Sequence, residues 1–301
     1  MVVEDWEKGK TWIKESNSKE EVKVNNVMDK EKWEMKYDVM DVLVYGPSNS
    51  GKTYFACTCP EPIVILDTEG RANLTKKYQF PNKNIEVVEL LEVKEEFIPK
   101  SLSDAIDISG TIDKITQEII RLNRKAKSGE IKGGTVVIDS LTDIWSWAQY
   151  KGKDDLAKAG KVDMNLCSLK FAPDWSIING INYRLVIGLR NLLRYGVNVI
   201  GTARFGEIPD FAAEKMATTP TFESEIRSQK DTAFWFSTIV KLHLQKQRVL
   251  DKSEVKLKYL SEIKKLETFD IKETDVIEGF NFQKLKEIRE KYREQVKGGN
   301  Q

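Results

Sequence analysis

Residues 42–56 read VLVYGPSNSGKTYFA, an apolar run that meets Gly46, with Gly51-Lys52-Thr53 following four residues later. This is the phosphate-binding spacing, which average residue usage produces by chance in roughly one chain in a hundred of this length. Context therefore has to carry the reading. An apolar strand precedes the first glycine and a helix opens after the second, which is the arrangement that points the N–H groups of a helix N-terminus at phosphate oxygens. Gly46, Pro47, Ser48, Asn49, Ser50, Gly51, Lys52, Thr53 and Tyr54 are then the expected nucleotide cradle. Lys52 is expected to reach the β- and γ-phosphates, and the Thr53 hydroxyl to hold Mg²⁺. A plain glycine turn between strand and helix would not require Lys-Thr directly after Gly51.

A bound magnesium also needs a carboxylate at the end of a buried strand. TVVIDS at 135–140 supplies Asp139. Hydrolysis needs in addition a group that orients or deprotonates water. Many P-loop ATPases carry a glutamate directly after this aspartate, but Ser140 stands there. The alternative is Glu69, in IVILDTEGRA at 63–72, at the end of the strand that follows the phosphate loop.

Working outward, strands are expected at 41–45, 62–67, 84–90, 135–139 and 197–203. Helices are expected at 111–128, with Thr111 capping the start and Gly129 the end, and from Asp174 to Tyr195, closed by Gly196. Alternating β and α elements of this kind give an α/β fold, a mainly parallel sheet with helices on both faces. After residue 235, STIVKLHLQ, EVKLKYL and LETFDI read as short strands with few residues between them, an antiparallel extension at the C-terminal edge. His243, on the face opposite Val240, Leu242 and Leu244, is expected to be a solvent-side residue.

The division expected is an N-terminal polar and aromatic arm at 1–36, an ATPase core at 37–275 and a C-terminal helix and tail at 276–301. Trp6, Trp12 and Trp33 of the arm read as aromatics laid on the core or as a contact for a partner. Phe282, Leu285, Ile288 and Tyr292 share one helical face, read as docking on the core or as an oligomer or partner contact.

Across 301 residues there are 48 Lys and Arg against 47 Asp and Glu, so no overall field attracts a polyanion and any nucleic-acid contact must come from local patches. Three cysteines, Cys57, Cys59 and Cys167, with a single histidine, have neither metal-ligand nor disulfide-framework spacing, which suits a reduced, cytoplasmic protein. The N-terminus has no apolar leader core, and no apolar run approaches membrane-spanning length.

The order GPSNSGKT, LDTEG, VVIDS, VIGTAR resembles the RecA-like ATPases, whose catalytic glutamate sits on the second strand in a D-x-E context that Asp67-Thr68-Glu69 matches. The block IDSLTDIW, followed by Trp175 and INYRLVIGLRNLLRYGVNVIGTAR, is similar to the RecA-like nucleotide-binding proteins of phages and archaeal viruses, which include single-strand annealing recombination ATPases. The likeness covers about residues 38–271. It implies Glu69 as catalytic base, and Thr202 to Arg204 as a sensor beside the γ-phosphate. Members of that family commonly carry Gln or His near the sensor position, so Arg204 departs from the pattern, whether it senses phosphate or does something else. It implies basic residues acting in trans from a neighbouring subunit; Lys246-Gln247-Arg248 has that spacing, and an ordinary hairpin tip accounts for it equally well.

The resemblance further implies two DNA-facing loops. One is at 151–172, with Lys151, Lys153, Lys158, Lys161 and Lys170, and one at 205–231, with Phe171 of the first or Phe222 of the second to stack on bases. A solvated lysine-rich loop is the plain alternative. The expected function is an Mg²⁺-dependent ATPase working as a homo-oligomer on single-stranded DNA in recombination or annealing, in host cytoplasm if the source is viral. A replicative helicase or packaging motor, and a nucleotide-gated protein-interaction switch, are the rivals.

Overall fold

A computed structural model of the chain describes residues 38–91, 106–160, 172–206, 222–248, 255–267, 269, 271 and 276–298. The expected N-terminal arm, Lys161, Lys170 and Phe171 lie outside the described residues.

The strands are β1 (Asp41–Gly46), β2 (Ile63–Asp67), β3 (Ile85–Glu89), β4 (Thr135–Asp139), β5 (Asn198–Phe205), β6 (Ile226–Arg227), β7 (Thr238–Arg248), β8 (Val255–Leu266) and β9 (Ile277–Glu278). The helices are α1 (Lys52–Cys57), α2 (Ala72–Gln79), α3 (Ile108–Ser128), α4 (Leu141–Lys158), α5 (Ala172–Arg190) and α6 (Phe282–Gly298). One sheet runs β3-β2-β4-β5-β1-β7-β8-β9, with β6 paired to β5. The pairs from β3 through to β7 are parallel, and β7–β8 and β8–β9 are antiparallel. The mainly parallel sheet with an antiparallel C-terminal edge is thus as expected.

Every residue of β1, β2 and β4 is buried. Their unbroken apolar runs follow from helices covering both faces of a parallel sheet. On one face Ile115, Ile119 and Leu122 of α3, Ile144 and Trp147 of α4 and Leu185 and Leu189 of α5 form a single core. On the other, Phe55 of α1, Ala72 of α2 and Phe282 and Leu285 of α6 pack on Val42, Val44, Ile63 and Ile65. α6 therefore docks on the core. Ile288 and Tyr292 lie partly buried against the same cluster, and Arg289 donates to the carbonyls of Asp38 and Val39, each at 3.3 Å.

Local expectations fail in three places. α3 starts at Ile108, capped by Asp107, whose carboxylate accepts from the Gly110 N–H at 3.0 Å. Thr111 is fully buried inside the first turn instead of capping it. Residues 151–158, expected in a loop, belong to α4, whose Leu141, Ile144, Ala148 and Leu156 are buried. Gly152, which obscured that pattern, sits where α5 comes closest: a Cβ there would lie 2.5 Å from Ile178 Cγ1. The described residues of LETFDI do not continue a strand. Leu266 ends β8, Glu267 turns to a left-handed φ of 50°, and Phe269 returns only as an isolated bridge to Leu266. The Glu267 N–H still continues the β7–β8 ladder to the Ser237 carbonyl at 2.6 Å, and the left-handed turn at Glu267 itself ends the extended path.

Candidate active site

The C-terminal ends of β1, β2, β4 and β5 meet on one rim, the edge at which open α/β sheets bind ligands. β1 delivers Gly46, and Pro47 to Asn49 stand exposed. Asn49 and Gly51 have positive φ, 62° and 94°, which turns the chain sharply enough for α1 to start at Lys52. Lys52 Nζ curls back to donate to the carbonyls of Gly46 and Pro47 at 3.0 and 2.8 Å. Burial holds its pKa below the usual lysine value, against the pull of Asp139 and Glu69. Ser50 Oγ is buried without a hydrogen-bond partner, and Tyr54 is half-exposed with its ring 5.1 Å from that of Phe80.

At the end of β4, Asp139 accepts from the Thr53 hydroxyl at 2.6 Å and, on its other oxygen, from the Thr202 hydroxyl. Burial raises its pKa above the usual carboxylate value, and these two donors only partly offset it. A hydroxyl and one carboxylate side by side suit Mg²⁺, which keeps most of its waters and takes few protein ligands. Among the described residues no cluster of three or more His, Cys, Asp or Glu could hold a metal. Thr53 and Asp139 would thus hold the cation only together with phosphate oxygens and water, and the partnerless Ser50 hydroxyl also fits a ligand in the cradle.

At the end of β2, the Asp67 carboxylate accepts three backbone N–H groups, from Glu69 at 2.9 Å, Gly70 at 3.0 Å and Ala72 at 2.8 Å. Asp67 is thus spent on building the turn that presents Glu69. Glu69 Oε1 accepts from Arg204 Nε and Nη2 at 3.1 and 2.8 Å. Arg204 Nη2 also donates to Asp143 at 3.1 Å, and the Arg204 N–H to Thr142 Oγ1 at 2.9 Å. Burial tends to lower the Arg204 pKa, but the Glu69 hydrogen bond and the Asp143 charge leave it raised. Asp143 accepts from the hydroxyls of Thr68 at 2.8 Å and Ser140 at 3.2 Å; burial raises its pKa.

Lys52, Thr53, Glu69, Asp139 and Arg204 are therefore gathered on one rim. Lys151, Lys153 and Lys158 are not; they lie about 16–27 Å along the axis of α4 from Ser140. Lys151 and Lys158 are tied to Asp155 and Asp154 at 3.0 and 2.6 Å. Phe222 packs partly buried against the core instead of standing free to stack on a base. Lys246 and Arg248 pair in register with Leu257 and Val255 at the far end of β7. His243 lies 3.2 Å from Glu262 and is half-exposed. Asp143, Thr142 and Thr68 were missed as site residues. Asp143 had one legible signal, its place one helical turn after Asp139, but it counts only once 141–158 is known to be helical. A cavity of about 1110 Å³ between α3 and α5, lined by Ile120, Ile177 and Ile187, includes none of the phosphate-loop residues.

The sheet, its rim and the phosphate loop define an α/β protein of the P-loop nucleoside triphosphatase class. A family model described as AAA domain matches residues 38–269, most of the chain, and the chain belongs to that family of nucleotide-binding P-loop ATPases. No curated protein matches the chain. Among the described residues no helix is long and apolar enough to cross a membrane.

Proposed function

We propose that the chain is an Mg²⁺-dependent ATPase of the RecA-like class that works as a homo-oligomer on single-stranded DNA in recombination or annealing. The observation that supports it best is the position of Glu69: it follows the strand that pairs with that of Asp139, presented by a turn built on Asp67 and held by Arg204 from β5. Lys52 exchanges its bonds to the loop carbonyls for the β- and γ-phosphates. Thr53 and Asp139 would hold Mg²⁺, which would supply charge neutralisation for the phosphates. Glu69 aligns the attacking water and accepts its proton. Arg204 keeps Glu69 facing the rim and offers a positive charge where the γ-phosphate ends. Lys246 and Arg248 are the proposed contribution of a neighbouring subunit. The DNA assignment is supported by the resemblance of the IDSLTDIW block and of residues 175–204 to the annealing ATPases.

Hydrolysis by wild type and by Glu69→Gln, each with and without single-stranded DNA at low and moderate salt, tests the reading. The variant is expected to keep ATP binding and to lose about 10²- to 10⁴-fold in turnover. Single-stranded DNA is expected to stimulate the wild type, less at the higher salt. A Glu69→Gln protein that turns over normally would remove Glu69 from the mechanism. Wild-type turnover indifferent to DNA at both salts would replace the recombination role with a protein-partner switch.

A further inference from the structure

Strand order sets which way a nucleotide must lie. Glu69 sits in the turn after β2, Asp139 ends β4 and Thr202 to Arg204 lie at the end of β5, all on one side of β1 in the sheet. A triphosphate on the N-terminus of α1 that presents its terminal phosphate to these groups sends its nucleoside off on the other side, toward β7 and β8. This inference rests on the proposed ATPase reading and adds to it the recognition of the nucleoside.

On that side the chain builds a wall. β7 pairs with β1 only from Val42 to Tyr45, whose partner is Lys241, and then runs on to Arg248 paired with β8. The overhang stands directly against the phosphate loop, since a Cβ on Gly46 would lie 2.5 Å from the Leu242 carbonyl oxygen. Its two faces differ in chemistry. Lys241, His243, Glu262 and Lys264 share one face, where Lys241 is ion-paired with Glu225 and Glu262 with Lys264, and His243 lies 3.2 Å from Glu262. Leu242, Leu244, Tyr259 and Leu257 fall on the other, Leu244 opposite Tyr259 in register. Leu242 is buried, but Tyr259 and Leu257 remain 47% and 49% exposed, an apolar surface with nothing over it among the described residues. The Tyr259 ring reaches the loop itself: its Cδ1 lies 3.7 Å from where a side chain on Gly51 would begin.

We infer that Tyr259, flanked by Leu257, is the platform on which the nucleobase of the bound nucleotide stacks. An aromatic ring offered face-on to a base accepts any base, because every base has a π-face, so the contact adds affinity for the nucleoside without selecting its identity. The other half-exposed aromatic at the loop, Tyr54, is engaged with Phe80, which follows α2 on the opposite side of the loop.

The test uses the full chain as wild type, Tyr259→Ala and Tyr259→Phe, titrated by calorimetry with ATP and with inorganic tripolyphosphate in the presence of Mg²⁺. Tyr259→Ala is expected to weaken ATP by about tenfold, the scale of one lost base–aromatic stack. Tyr259→Phe should match wild type, and tripolyphosphate should bind all three proteins alike. Equal ATP affinity in Tyr259→Ala overturns the assignment. Parallel loss of ATP and tripolyphosphate also overturns it, by showing that the ring only shapes the loop, and a loss in Tyr259→Phe would replace stacking with a hydroxyl contact. If wild type binds neither ligand, the ATPase reading itself fails, and this inference with it.

Discussion

Asp139 carries a charge that its surroundings resist. It is 5% exposed, its pKa is raised by burial, and the hydroxyls of Thr53 and Thr202 are its donors. A carboxylate whose folded pKa lies above its unfolded value stabilises the fold most below the unfolded value, near 3.8, and loses that contribution as pH rises through the folded value. Asp139→Asn is therefore expected to raise the Tm of the nucleotide-free protein at pH 7, the gain shrinking toward pH 4. The same variant should lose the Mg²⁺-dependent part of ATP stabilisation, worth about 2.7 kcal/mol at a hundredfold excess over Kd in wild type. Thermal melts across pH, with and without Mg²⁺ and ATP, check both. Asp143 accepts from Arg204 Nη2 at 3.1 Å. Asp143→Asn keeps an acceptor for Thr68 but removes the charge that steadies the guanidinium beside Glu69. On the proposed role of Glu69, kcat is expected to fall about tenfold with KM for ATP nearly unchanged, since displacement of a catalytic group costs rate more than binding; steady-state kinetics would show the split. Lys52 was legible because its partners Gly46 and Pro47 lie in the same short stretch, and Thr53 because the motif spacing names it although it bonds Asp139 across 86 residues, whereas Asp143 meets Arg204 across 61 residues and Glu69 meets it across 135, with no motif to mark Asp143.

At the scale of elements, α4 occupies part of the stretch where the resemblance implied a loop. Its lysines and Gly152 make the second half read as solvated loop, yet Gly152 is required by the approach of α5. Gly152→Ala gains about 1 kcal/mol of helix propensity. It also forces a methyl to 2.5 Å from Ile178 Cγ1 and 3.4 Å from its Cα, and Ile178 is fully buried. Overpacking of this kind costs about 1–3 kcal/mol, so the net change is expected to be a loss of about 1 kcal/mol, measurable by urea unfolding. β1, β2 and β4 were legible because strands buried on both faces are apolar throughout. The first turn of α3 was not, because Asp107 and Thr111 are both competent caps and burial of Thr111 decided between them.

Over the whole molecule, α6 closes the second face of the sheet. Leu285 is fully buried, and the ring of Phe280, just before the helix, stacks on Phe55 of α1 at 5.3 Å. Leu285→Ala is expected to cost about 2–5 kcal/mol in global unfolding, as for any core leucine. A helix reserved for a partner would show almost no change. The residues from Val42 to Ala56 determined by themselves that the chain has a strand, a phosphate-shaped turn and a helix, because those contacts close within one short segment. The alternation of apolar strands and amphipathic helices likewise determined an α/β sheet, since each element displays its own buried face. Only the tertiary structure decided the strand order, and with it the meeting of Glu69, Asp139, Asp143 and Arg204 and the standing of Tyr259 against Gly51. Crossover connections can lay a strand beside any of several neighbours, and the free energy that chooses among them is spread over the packing of both faces, so no local stretch of residues carries it.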